Sequence, residues 1–181
     1  MLELISLPRN YIPPSEFPPS WASGWRWDQF GLVAELYHND VLFKFRWIPS
    51  GQFQMGSPET ESGRYDDETL HSVTITRGFW MGESACTQAQ WRAMMQENPS
   101  EFKGDDRPVE QVSWHDCVKY CQRLNVLVPG LYARLPSEAE WEYACRAGTN
   151  SAFNDGSNGT KATRINYSIT FRPSDCCGLI V

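Results

Sequence analysis

The sequence of 181 residues has no long apolar run, little basic charge and no glycine-rich phosphate-binding motif. No apolar stretch approaches the roughly 18 residues needed to cross a membrane, so membrane insertion is not expected. Lys and Arg number 16 against 22 Asp and Glu, and the resulting net charge of −6 disfavours a general nucleic-acid binder, which needs a basic face. Neither G-x-G-x-x-G nor G-x-x-x-x-G-K-[ST] occurs, which argues against a nucleotide-binding fold.

A secretory signal is also missing from the start of the chain. The segment MLELISLPRNYIPP has no basic region followed by an apolar one, and it carries Glu3. Six cysteines are few for this length, and in a reducing compartment they are expected to be free, buried thiols. We therefore predict a cytoplasmic protein.

What the sequence does contain indicates a loop-rich α+β domain. Hydrophobic residues make up 41% and aromatic residues 13%, beside 13 Gly and 12 Pro, a composition that favours a real core with many turns. We divide the chain into a Pro- and Trp-rich N-terminal arm (1–30) and a single domain (31–181), in which 148–181 form a variable loop and closing strand. Trp25 and Trp27 either pack the arm on the domain or serve a homo-oligomer, and the sequence leaves both open.

Alternating apolar residues predict two strand pairs. Leu32, Ala34 and Leu36 alternate before Asn39-Asp40, and the alternation resumes at Val41, which predicts a hairpin with Asn-Asp at its turn. Residues 53–56 and 73–76 form the second predicted pair around an acidic loop, and residues 78–81 are expected to continue it.

Three short helices are predicted from their start signals. Thr87, Ser113 and Ser137 each stand three residues before a Gln, Asp or Glu, the spacing of a capping box. The apolar spacing of the second helix predicts one buried stripe, made of Trp114, Cys117, Val118, Cys121 and Leu124. In the third helix we expect Trp141 and Ala144-Cys145 to face inward.

Candidate metal and redox groups are weighed against structural roles. Cys117 and Cys121 lie one helical turn apart near His115, but no second ligand pair follows, so buried thiols are favoured over a metal site. The acidic loop (Glu59, Glu61, Asp66, Asp67, Glu68) lacks the spacing of an EF-hand, so a solvated loop is favoured over calcium. The vicinal Cys176 and Cys177 would point to opposite faces of a strand, which disfavours joint chelation.

Three blocks in a fixed order point to a family. They are FQMGS at 53–57, RPVEQVSWHDC at 107–117 and RLPSEAEWEYACRAG at 134–148. In this order they resemble the formylglycine-generating enzyme, or sulfatase-modifying factor, family. The resemblance implies an α+β variant of the C-type lectin fold, loop-rich, with small antiparallel sheets and about three short helices.

The resemblance weakens after Gly148. The family's enzymes use copper and molecular oxygen to convert a cysteine in a Cys-x-Pro-x-Arg motif to formylglycine, with two cysteines downstream of an RGGSW-like block. Neither that block nor a Cys-x4-Cys pair follows here. We therefore assign no catalytic residue and do not expect copper. The resemblance would allow structural calcium, with Asn166 as the candidate ligand because residues 164–167 resemble a family calcium-binding step.

The sequence thus favours a non-catalytic module that binds a small ligand or a protein, similar to the variable proteins of diversity-generating retroelements. Nucleic acid and membrane are not expected partners, and a homo-oligomer through the N-terminal arm is an open alternative. A formylglycine-generating oxidase and a truncated structural fragment of such an enzyme are the competing hypotheses. The predicted ligand-binding residues lie in the polar C-terminal loop: Asn154, Asp155, Asn158, Arg164, Asn166, Tyr167 and Arg172.

Overall fold

The structure, a computed structural model, describes residues 11–61, 63–151 and 179–181. Within these ranges, six strands precede three helices. The strands are β1 (Gly24–Asp28), β2 (Gly31–His38), β3 (Val41–Ile48), β4 (Gly51–Met55), β5 (His71–Ile75) and β6 (Phe79–Gly82). The helices are α1 (Gln88–Met95), α2 (Trp114–Leu127) and α3 (Glu138–Arg146).

The strands form two antiparallel sheets. Four of them pair in the order β1-β2-β3-β6, while β4 and β5 pair with each other. Because β1 pairs with β2, the larger sheet extends into the segment assigned to the N-terminal arm. Trp21, also from that segment, is buried between Phe45 and Trp80.

Both predicted strand pairs are present, with one wrong assignment at their end. Asn39 and Asp40 have φ angles of 50° and 61°, as a two-residue hairpin turn between β2 and β3 requires. The expectation that residues 78–81 continue the second pair is wrong, because β6 pairs with β3 and places Trp80 opposite Trp47. The sequence of a short apolar strand does not indicate which strand it pairs with. Here the indole rings of Trp47 and Trp80 pack against each other, which favours pairing with β3.

The last three residues lie beside β6. The main chains of Trp80 and Val181 exchange hydrogen bonds of 3.1 and 2.9 Å, and Gly82 N donates to Leu179 O at 2.8 Å. On its other side Ile180 exchanges main-chain hydrogen bonds with Arg134 at 2.8 and 2.9 Å. This tripeptide therefore joins the larger sheet to the segment that precedes α3.

All three helices begin as predicted, each with a complete capping box. In each helix the hydroxyl of the cap residue, Thr87, Ser113 or Ser137, accepts a hydrogen bond from the backbone N–H three residues later. The side chain of that later residue accepts in return from the backbone N–H of the cap residue. The longest helix, α2, has 14 residues. None of the described helices is long and apolar enough to cross a membrane.

The buried faces of α2 and α3 differ from the prediction. Trp114, the first residue of α2, is 49% exposed, and its ring lies edge-on to that of the neighbouring His115. Tyr120 is fully buried instead and stacks on Trp91 at 5.2 Å. In α3, Ala139 and Tyr143 pack on the second core described below, while Trp141, Ala144 and Cys145 are only half-buried.

Two apolar cores result. The main core lies between the four-stranded sheet and helices α1 and α2, and it includes Phe43, Phe45, Trp91, Tyr120 and Leu124. A smaller core under β4 and β5 is built from Ile75, Phe79 and Ile180, with α3 packed against it. The smaller core fixes α3 relative to β4, and the groove described below lies between these two elements.

The cysteines differ in one respect from the expected free thiols. Cys86 and Cys121 are buried, and Cys145 is half-buried. Cys117 is also buried, but it is disulfide-bonded, so the prediction of a free thiol is wrong for this residue. Its position on the inner side of α2 was predicted correctly, whereas its bonding state cannot be derived from helical spacing.

The start of α3 predicts a specific pH dependence. Glu140 accepts from Arg134 Nη1 at 2.8 Å, and this contact, with those from Ser137, lowers the pKa of Glu140 from 4.5 to about 2. Its stabilising effect is therefore complete above about pH 4.5 and is lost as the pH falls towards 2. We expect the melting temperature of Glu140→Gln to fall less over this range than that of the parent. Glu138→Gln, which removes the same charge from the same turn, is the control, and an equal slope in both variants would contradict the assignment.

Candidate functional site

All seven predicted ligand-binding residues, from Asn154 to Arg172, lie outside the described residues, and so does the candidate calcium ligand Asn166. The structure does describe the chain that leads into this segment. Residues 147–150 follow α3 directly, and they line a groove of about 860 Å³. The site is therefore built from the residues around that groove.

The groove runs between the end of β3, the strand β4 and the C-terminus of α3. Aromatic and apolar surface comes from Phe30, Trp47 and Tyr143, and Gln52 and Gln54 add amide side chains. Both glutamines are exposed, because alternate residues of β4 face away from the smaller core. Phe30 is 74% exposed, which is unusual for a phenylalanine and leaves its ring free for contact.

One wall of the groove is fixed by a clamp between α3 and Gly56. Gly56 N donates to Glu142 Oε1 at 2.9 Å, and Arg146 Nη2 donates to Gly56 O at 2.7 Å. Arg146 Nε also donates to the same Glu142 oxygen at 2.7 Å, which closes the clamp. Gly56 has a φ of +87°, and an added Cβ would lie 2.6 Å from Thr69 O, so glycine is required here.

The opposite wall carries a compensated arginine. Arg46 donates to both carboxylate oxygens of Asp28, at 2.9 and 3.1 Å, and also to Glu83. The hydrogen bond from Arg46 holds the pKa of Asp28 at about 2, so this carboxylate is charged at neutral pH. The guanidinium group lies 5.7 Å from the centre of the Phe30 ring, which places Phe30 against a fixed cation.

This arrangement suits binding better than acid–base chemistry. The titratable residues among the described lining of the groove are Arg46, Tyr143 and Arg146. Burial raises the pKa of Tyr143, which keeps its hydroxyl protonated at neutral pH, and Arg46 and Arg146 are both paired with carboxylates. Aromatic rings beside amide groups and compensated charges are typical of a surface that recognises a partly apolar ligand.

The described cysteines do not fit the copper site that the family resemblance implies. A copper thiolate centre needs two accessible thiols that ionise readily. Cys117 is disulfide-bonded, and burial raises the pKa of Cys121 to about 11. Within the described ranges, no three His, Cys, Asp or Glu side chains gather into a possible metal site.

Sequence reasoning missed the groove walls. Glu142 and Arg146 pair with each other on α3, but their shared contact with Gly56, 86 and 90 residues earlier, leaves no local signal. Arg46, Gln52 and Gln54 resemble ordinary exposed residues of strands. Phe30, in the turn between β1 and β2, was the one available indication, because an aromatic residue in a turn has little core to enter.

Similarity to known proteins identifies the family of this chain. A family model described as "Sulfatase-modifying factor enzyme 1-like domain" matches residues 37–174. The chain belongs to this family. The resemblance inferred from the three sequence blocks is thus confirmed.

Two curated relatives of this sulfatase-modifying factor domain illustrate its range. "Chaperone protein LppX" of Paenibacillus barcinonensis is 32% identical, and the match covers 53% of this chain and 44% of that protein. The "Formylglycine-generating enzyme" of Mus musculus is 34% identical, with 44% of this chain and 18% of that protein covered. The chain therefore spans less than half the length of these relatives.

Solved structures share the fold. "Treponema denticola variable protein 1" superposes with a TM-score of 0.61 at 24% identity, covering 71% of this chain and 61% of that one. PvdO from Pseudomonas aeruginosa gives a TM-score of 0.55 at 24% identity, with 70% and 52% covered. The predicted fold class is confirmed: a loop-rich α+β domain of the formylglycine-generating-enzyme type, with small antiparallel sheets and three helices in the described part of the chain.

Proposed function

We propose that this sulfatase-modifying factor domain is a non-catalytic module that binds a small ligand or a partner protein. Its binding surface would combine the groove with the predicted loop residues Asn154, Asp155, Asn158, Arg164, Asn166, Tyr167 and Arg172. The observation that carries the proposal is the groove itself, which has aromatic and amide surface and no described general base. Residues 149 and 150 line it and lead in sequence directly into the loop segment.

The rigidity of the groove supports this proposal. The clamp at Gly56 fixes α3, and the Arg46–Asp28 pair fixes the edge of the larger sheet. A loop attached to such a fixed frame can vary in sequence without disturbing the core, which is how many binding domains separate recognition from stability. The smaller core beneath the groove does not involve any of the groove's exposed side chains.

The name of one curated relative agrees with a binding role. One curated relative is called a chaperone, a function that requires contact with another protein. One structural neighbour is called a variable protein. The chaperone name favours a module whose purpose is contact rather than turnover.

A selection experiment tests the proposal. The full chain is immobilised and exposed to a random peptide display library and to a glycan array, and binders are then tested against the loop variants Tyr167→Ala and Arg172→Ala. We expect specific binders whose affinity falls in both variants. Failure to recover any binder would contradict the proposal. Binders whose affinity is unchanged by both loop substitutions and by substitution of groove residues would also contradict it.

The second candidate is a formylglycine-generating oxidase, favoured by the 34% identity to the murine enzyme over 79 residues. Its test is incubation of the copper-loaded chain, in air, with a peptide that contains Cys-x-Pro-x-Arg. Aldehyde formation is measured by mass and by hydrazide labelling. Turnover comparable to that of a family enzyme would establish the oxidase and overturn the non-catalytic proposal.

A further inference from the structure

Among the residues that the structure describes, none pairs with the outer edge of β1 in the larger sheet. In the strand order β1-β2-β3-β6, β1 is an end strand, and its free side follows from the hydrogen bonds of its neighbours. Lys44 O accepts from Glu83 N at 2.9 Å, and Leu42 O accepts from the Gln90 side chain at 3.0 Å. The main-chain groups of these two β3 residues therefore point away from β2.

The main-chain groups of successive residues point to opposite sides of a strand, so these two directions fix those of the remaining residues in β1, β2 and β3. Glu35 lies opposite Lys44, so the main-chain groups of Glu35 point away from β3 and towards β1. Its partner there is Gly24, and Arg26 pairs in the same way with Val33. The N–H and C=O groups of Trp25 and Trp27 must consequently point outward, and no described residue supplies them with a partner.

The side chains along this edge are also unusual. Trp25 is 42% exposed and packs edge-on against Phe17, which is 38% exposed, with ring centres 4.9 Å apart. Arg26 points to the other face of the sheet, where it forms an ion pair with Glu35. An edge strand that exposes aromatic surface and unpaired main-chain groups is a template for another strand.

We propose that this edge pairs with β1 of a second copy of the chain, in an antiparallel arrangement about a two-fold axis at Arg26. The sequence Trp25-Arg26-Trp27 is symmetric about its central residue, so the axis places Trp25 opposite Trp27 of the second copy. Each of these two pairs exchanges two main-chain hydrogen bonds, which satisfies all the outward groups of both tryptophans.

The charges and the aromatic residues favour this occupant. The two Arg26 side chains would lie opposite each other, and each already has Glu35 as its counter-charge within its own chain. On the other face, each exposed Trp25 ring would meet the part of a Trp27 ring that the contact with Tyr11 leaves accessible, the aromatic cross-strand pairing that stabilises sheets. A strand from an unrelated protein would need the same spacing of tryptophans to make these contacts.

Two variants of one residue test the main-chain pairing. Trp25→Pro and Trp25→Thr both remove the indole ring, but only proline removes the outward N–H, and an outward N–H is not needed for pairing with β2. Sedimentation velocity over a concentration series of the full chain should show a dimer for the parent. The dissociation constant of the dimer should be about tenfold or more higher in Trp25→Pro than in Trp25→Thr. Each copy loses the hydrogen bond of its residue 25 N–H, so the dimer loses two. Circular dichroism melts of equal cooperativity confirm that both variants fold.

Disulfide trapping tests the register. In the proposed dimer the two Arg26 residues are directly opposite each other and form a non-hydrogen-bonded pair. The Cα atoms of such a pair are close together, which suits a cross-strand disulfide. Oxidised Arg26→Cys should therefore give a covalent dimer joined at that position by peptide mapping, whereas Lys44→Cys, in the middle of the sheet, should not. A chain that stays monomeric at all concentrations, a dimer unaffected by Trp25→Pro, or an edge occupied only by another protein would overturn the proposal.

Discussion

Replacing Gln88 by alanine is expected to lower the free energy of unfolding by about 3–4 kcal/mol. Gln88 is fully buried in the first turn of α1, where its Nε2 donates to Phe102 O at 2.9 Å and to Pro108 O at 3.2 Å. Its Oε1 accepts from Asn98 Nδ2 at 2.9 Å and from Gly104 N at 3.1 Å. One side chain thus holds the segment from Asn98 to Pro108, and alanine leaves all four partner groups without their contact.

Urea unfolding followed by tryptophan fluorescence measures this loss. Gln52→Ala is the matched control, since Gln52 is exposed and makes a single side-chain bond to Ser72 at 2.9 Å. We expect the control to change stability by no more than about 0.5 kcal/mol. Similar losses in the two variants would show that the buried amide does not organise the segment.

Replacing Arg146 by methionine is expected to cost about 2–3 kcal/mol and to weaken ligand binding in the groove. Methionine keeps most of the side-chain volume but leaves Glu142 without its cation and Gly56 O without its donor. Both members of this ion pair are only about one-fifth exposed, with side-chain exposures of 19% and 20%, so water compensates little. Because the clamp fixes α3 on β4, the groove should lose its shape with it.

Arg92→Met provides the control for the clamp. Arg92 pairs with Asp105 at 2.9 Å, but these side chains are 46% and 66% exposed, and such surface pairs contribute about 0–1 kcal/mol. Calorimetric melts of both variants give the comparison. Equal stability of the two variants would mean that the contact with Gly56 is incidental.

Local features of this fold were predictable from the sequence because their causes are local. The three capping boxes depend on side chains three residues apart, and the first hairpin depends on two residues that tolerate positive φ. The family blocks then supplied the fold class, since they lie on α2, α3 and β4 and on the segments that precede the two helices. Each of these predictions needed only a short window of sequence.

The remaining features depend on partners that are distant in sequence. Pairing of β6 with β3, and of Ile180 with Arg134, follows from packing that no local pattern encodes. Trp114 matched the apolar stripe of α2, yet its place in the first turn puts it outside the core, where Tyr120 takes the buried position. The groove was missed for the same reason, because β3, β4 and α3 each contribute only a few ordinary residues.

The central claim, that the groove is part of a binding surface, is tested most directly by two phenylalanine substitutions. Phe30 lines the groove and is 74% exposed, whereas Phe102 is 64% exposed and does not line it. With a binder selected on the full chain, calorimetry should show affinity reduced about tenfold or more by Phe30→Ala, because exposed aromatic anchors carry much of the binding energy. Phe102→Ala should bind within about twofold of the parent. Unchanged affinity in Phe30→Ala, or equal losses in both variants, would contradict the account.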